Sequence, residues 1–142
     1  RAGRRPERTT YAVTEPGVAA VLDWVRHELP RAGRSREFRV ALAEAHNLPR
    51  AEVAPLLRER RDRIAAEHTA LAARLRSAAD RGVPEQFLVE LERDERLGAA
   101  ELAWLDDLIA RVETAAIGWG PDEIPAELAA RIRAERKAAS GA

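Results

Sequence analysis

Two apolar patterns spaced alternately three and four residues apart, separated by one break at Arg81-Gly82-Val83-Pro84, limit what this chain can fold into more than any other feature. The first predicts a single helix from Ala51 to about Asp80, with a seam running through Ala54, Leu57, Arg61, Ile64, His68 and Leu71. The second predicts another helix from about Glu85 to Ala115, with a seam through Leu91, Glu95, Gly98, Leu102, Leu105 and Ile109. Gly82 suits a helix C-terminal cap and Pro84 the start of the next helix, so the chain should stop, turn and return. The expected core element is therefore a long antiparallel helical hairpin.

Neither seam is that of a tight coiled coil, because Arg61, His68, Glu95 and Gly98 interrupt the apolar positions. The second helix also carries a second apolar stripe, Phe87, Leu97, Trp104 and Leu108. Two stripes cover more of the circumference than one antiparallel neighbour can bury. A second copy of the chain is the simplest cover, so Phe87, Leu97, Trp104 and Leu108 are expected at a homodimer interface. Counting outward from the turn sets His68 and Ile64 level with Gly98 to Leu102. A polar side chain, a glycine gap and an indole at one level outline a small cavity, and Trp104, His68, Arg61 and Phe38 are its candidate ligand contacts. The ligand would be a small aromatic or hydrophobic effector. The competing arrangement is a closed seam in which His68 is hydrogen-bonded to Glu95 or Glu101.

Catalytic signals are poor. His27, His46 and His68 stand at no metal-ligand spacing, and there is no glycine-rich phosphate loop, G-x-S-x-G or paired aspartate motif. Glu90, Asp94 and Glu101 share one sector of the acidic helix and read as a solvated or salt-bridged face. No enzyme, no cofactor and no metal site is expected. With no cysteine there is no disulfide or thiolate, and no apolar run approaches the ~18 residues that cross a bilayer. A cytoplasmic protein without membrane contact is the expectation. The formal net charge is zero, yet residues 50–81 carry eight arginines against five acids and residues 85–113 three against nine. The two long helices should attract one another, although surface pairs contribute only tenths of a kcal/mol each.

The first quarter of the chain reads differently. Arg4, Arg5 and Arg8 precede a short alternating stretch, Thr9 to Val13, expected as a strand with Tyr11 and Val13 on one side. Thr14-Glu15-Pro16-Gly17 then opens a helix to about Leu29, with Thr14 as N-cap, Glu15 at the positive end of the dipole and Pro16 in the first turn. Val18, Leu22 and Val25, flanked by Val21 and Trp24, form its expected buried stripe. A short helix from Glu37 to Asn47 follows. A turn at Ile117-Gly-Trp119-Gly120-Pro121 leads to a last amphipathic helix, Ile124 to Arg136.

The run Tyr11-Ala-Val-Thr14-Glu15-x-Gly17, followed by Leu22-x-Trp24-Val25, resembles the signature that closes the winged-helix domain of PadR-like transcriptional regulators. Glu37-Phe38-Arg-Val40-Ala41-Leu42, the helix opening at Pro49 to Val53, Pro84-x-Gln-Phe87 and Glu101-Leu102-x-Trp104-Leu105 are similar to that family's helical C-terminal domain. Together they cover roughly residues 4 to 115. The resemblance implies an all-α fold: a long antiparallel hairpin with short flanking helices, preceded by the remnant of a winged-helix wing. It divides the chain into the end of a winged helix (residues 1–30), a dimerisation and effector domain (31–116) and a C-terminal helix and tail (117–142). It also implies a homodimeric repressor that binds palindromic operator DNA, with Arg4, Arg5 and Arg8 reaching phosphates or a minor groove from the wing. The family places its DNA-reading helices before the wing, whereas this chain opens at Arg1 inside it, so the expectation is the sensing half of a longer regulator. A helical protein-protein adaptor with no DNA role is the alternative.

Overall fold

The computed structural model describes residues 14–33, 35–120, 123–131 and 134, and the chain is all-α. The helices are α1 (Glu15–Glu28), α2 (Arg36–Glu44), α3 (Arg50–Asp80) and α4 (Val89–Glu113), with 3₁₀ turns at Ala45–Asn47 and Glu85–Phe87. Residues 126–131 form a further helical stretch. Thr9 to Val13, the expected strand, lies outside the described residues, as do Arg4, Arg5 and Arg8.

Local chemistry explains the helix ends. The Thr14 hydroxyl accepts from the Gly17 amide at 3.3 Å, and the Ser35 hydroxyl accepts from the Phe38 amide at 3.1 Å, each satisfying an otherwise orphaned donor. At the far end of α3, Gly82 takes φ +72°, its amide donates to Ala79 and the Val83 amide donates to Ala78. This paired motif satisfies the last carbonyls and needs a left-handed residue, which glycine supplies without steric cost. The same motif closes α4, with Ala116 donating to Arg111 and Ala115 held at φ +56°. There the left-handed position is an alanine.

Helices α3 and α4 are antiparallel. Their cross-pairs run in opposite order along the two helices: Arg58 with Glu113, Arg61 with Asp106 at 2.9 Å, and His68 with Glu95 at 3.1 Å. The core occupies one end of this hairpin. It combines Val25 and Leu29 of α1, Phe38 and Ala41 of α2, Val53, Leu57 and Ile64 of α3, and Leu105, Ile109 and Val112 of α4. Beyond Ile64 and before Leu105, only Ala78 and Gly98 are buried. The distal half of the hairpin thus projects as two helices without a third layer.

Two expected apolar stripes change place. On α1 only Val25 is buried, with Leu22 and Trp24 packed half-buried against the core, while Val18 and Val21 are 48% and 42% exposed because the helix meets the core through its C-terminal half. On α4, Leu108 is buried within the chain at 7%, while Phe87 and Trp104 are 68% and 37% exposed. Leu108 joins the core cluster that α1, α2, α3 and α4 share, whereas Phe87 lies near the tip of the hairpin and Trp104 on the outer face of α4.

Candidate functional site

The seam of α3 passes through Arg60 rather than Arg61. Arg60 is fully buried, and it is the sole charged residue in the core of the described chain. Its guanidinium lies 3.4 Å from the centroid of the Phe38 ring, donates to the backbone carbonyls of Arg31 and Gly33 in the α1–α2 connection, and pairs with Glu101 of α4. Four parts of the chain therefore meet at one side chain. A planar guanidinium can stack on a ring and still donate along its edge, which a lysine ammonium cannot do. The Nε of Arg60 is buried without a hydrogen-bond partner. Such an orphan donor marks a site whose polar groups are not fully matched.

Beside this knot lies a cavity of about 200 Å³ between α3 and α4. Ile64 and Leu71 supply its apolar wall, Gly33 and Gly98 give it room, and Glu67, His68, Asp94 and Glu101 provide its polar groups. The glycine at 98 matters sterically: a Cβ there would stand 3.0 Å from His68 Cδ2, so a larger residue would push the imidazole aside. His68 Nε2 is 3.1 Å from Glu95 Oε1, which holds the ring against the gap. Asp94 is 3.0 Å from the neighbouring Arg93. No set of three His, Asp or Glu side chains among the described residues is arranged to hold a metal ion.

The structure brings some of the expected contacts together and separates the rest. His68 and Gly98 meet across the cavity at the level counted from the turn, and the hydrogen bond to Glu95 forms there too. Arg61 instead lies on the flank, bonded to Asp106 at 2.9 Å and Asp62 at 3.2 Å, and these carboxylates raise its pKa above the usual arginine value. Phe38 is in the core under Arg60, and Trp104 is on the outer face of α4; neither lines the cavity. Arg60 escaped the sequence reading because a seam that alternates steps of three and four permits either residue after Leu57, and both are arginine. Of the four residues expected at a dimer interface, Phe87, Leu97 and Trp104 retain exposed surface and Leu108 does not.

A second basic residue closes the other end of the hairpin. Arg50 donates to the carbonyls of Val112 and Ile117 at 3.0 Å each, and to both carboxylate oxygens of Glu123 at 2.8 Å. The Arg50 guanidinium, helped by the Trp119 amide, holds the Glu123 carboxyl below the usual carboxylate range. The Trp119 indole donates to Leu48 at 3.1 Å. The segment after α4 is thereby fastened to the α2–α3 corner. No family model, curated protein or solved structure matches this chain.

Proposed function

We propose that this chain is the dimerisation and sensing half of a PadR-like transcriptional regulator, acting as a repressor through operator DNA. The observation that carries this reading is the divided character of α1. Its last turn, Val25 and Leu29, is built into the core of the helical domain, while its first turns expose Val18 and Val21. A helix shared between a winged-helix half and a C-terminal half needs such a division, and the motif at Tyr11 to Val25 resembles the junction of those halves in that family.

The reading assigns the projecting half of the hairpin to a second copy. Phe87, Val89, Leu97 and Trp104 would pack against that copy, and burying a large apolar side chain contributes roughly 1.5 to 3 kcal/mol. An effector would act by favouring a dimer geometry whose spacing no longer matches the two operator half-sites. Arg4, Arg5 and Arg8 would contribute phosphate or minor-groove contacts that strengthen binding with little sequence preference.

The test uses the full-length protein carrying Leu97→Glu together with Trp104→Glu. The variant should sediment as a monomer with unchanged helix content and should bind its own promoter DNA far more weakly than the parent. A monomer with undiminished sequence-preferential binding would overturn the dimeric operator reading. A variant that remains dimeric would remove the α4 outer face from the interface.

A further inference from the structure

Along the outer face of α4, Arg93, Leu97, Ala100, Trp104 and Asp107 follow one another at steps of four, three, four and three residues. That spacing keeps them on one side of the helix. Leu97 is half-buried and the other four are exposed. Ala100 stands close to the middle of α4, and Arg93 and Asp107 lie seven residues before and seven after it with opposite charges. A two-fold axis at Ala100 therefore sets Arg93 against the partner's Asp107, and does so twice. A parallel pair would instead oppose Arg93 to the partner's Arg93 and Asp107 to the partner's Asp107, which is unfavourable. The neighbours that hold these side chains within one chain, Asp94 at 3.0 Å from Arg93 and Arg111 at 2.8 Å from Asp107, leave both exposed.

A second observation is steric. A shallow groove of about 330 Å³ on the same helix is lined by Val89, Glu92, Arg93, Arg96 and Leu97. The same axis brings the partner's Trp104 opposite Arg96 and beside Leu97, at the end of this groove. There an indole meets an apolar side chain and a guanidinium, both good neighbours for its faces.

We propose that a second copy of this chain packs α4 against α4, antiparallel, about a two-fold axis at Ala100. The small side chain at the axis lets the two helices approach closely. Leu97 and Trp104 of each copy flank the crossing, the Arg93–Asp107 pairs close both ends, and Val89 lies under the methylene stem of the partner's Arg111. The ion pairs set orientation more than strength, since exposed pairs contribute little. This arrangement rests on the dimer proposed above and specifies it: the two packed bases lie at opposite ends of the joined helices, and each arm tip runs alongside the partner's base.

The chain has no cysteine, so single cysteines report the register without background. Ala100→Cys should give a disulfide-linked dimer under mild oxidation, because its two copies face each other across the axis within the ~7 Å Cα separation that a disulfide spans. Val89→Cys should not link, since antiparallel packing sets its copies roughly 33 Å apart along the helices. In sedimentation, Arg93→Asp and Asp107→Arg should each raise the dimer dissociation constant roughly ten-fold, and the double variant should return it to within about two-fold of the parent. Linkage through Val89→Cys, or a double variant no better than the singles, would overturn the antiparallel register and leave the dimer itself standing. A dimer that links through neither cysteine would overturn it as well, by moving the partner to another face. A chain that sediments as a monomer throughout would remove both this proposal and the dimer on which it rests.

Discussion

Arg60 shows how a single side chain can fix the relation between parts of a fold. Removing it would take a fully buried guanidinium from Glu101, from the Phe38 ring and from the carbonyls of Arg31 and Gly33, which costs more than the loss of an exposed ion pair. Arg60→Ala is therefore expected to lower unfolding free energy by about 3 kcal/mol in urea titration. Arg61→Ala, which breaks only flank pairs with Asp106 and Asp62, should cost less than about 1 kcal/mol. Equal losses would mean that Arg60 is not the residue in the seam. Ala115 offers the opposite sign: at φ +56° in a motif that favours glycine, Ala115→Gly should stabilise the chain by roughly 0.5 to 1 kcal/mol. Glu123 adds a pH dependence. Its folded-state pKa is lowered by Arg50, so its contribution is in place above the usual carboxylate range and is lost as pH falls through the folded value. Between about pH 5 and pH 3 the thermal midpoint of the parent should fall more steeply than that of Glu123→Gln.

At the scale of elements, the hairpin was legible because its signals were redundant. The three-four spacing, Gly82, Pro84 and the opposite charges of the two helices all point to one antiparallel pair, and α3 ends at Asp80 as the sequence indicates. Capping chemistry made α1 legible through Thr14, whereas the Ser35 cap of α2 escaped the sequence reading, which starts that helix at Glu37 rather than Arg36. Which face each helix buries was harder to read. Periodicity finds an apolar stripe without saying what covers it, so Val18 and Val21 look the same in sequence as Val25. Leu108 and Trp104 likewise share a stripe, yet Leu108 turns into the core cluster while Trp104, beside the buried Leu105, turns to the outer face of α4. Buried polar residues were the least legible, since Arg60 becomes a core residue only through Phe38, Glu101 and two distant carbonyls that no local window contains. The distinction has a direct test. Trp104→Glu should reduce self-association while preserving the helix signal, whereas Leu108→Glu should unfold the chain, because a charge would be forced into the core.

The whole molecule has a well-packed base and a thin projecting arm. At the base, α1, α2 and the ends of the hairpin share one core, closed by Arg60 on one side and Arg50 on the other. The arm exposes Phe87, Val89 and Trp104 and, near its root, holds the carboxylate-lined cavity beside the Arg60 knot. No helix of the described residues is long and apolar enough to cross a membrane. Under the proposed function, the arm would serve for pairing and α1, anchored in the core through Val25, would carry the link to the DNA-reading half. The most direct measurement is the stoichiometry and sequence preference of the full-length protein on its own promoter, by fluorescence anisotropy with sedimentation of the complex. Two chains per palindromic site, with strong preference over random duplex at physiological salt, is the expected result. A stable dimer that binds promoter and random duplex equally, or neither, would contradict the regulator reading and return the hairpin to the role of a protein-binding adaptor.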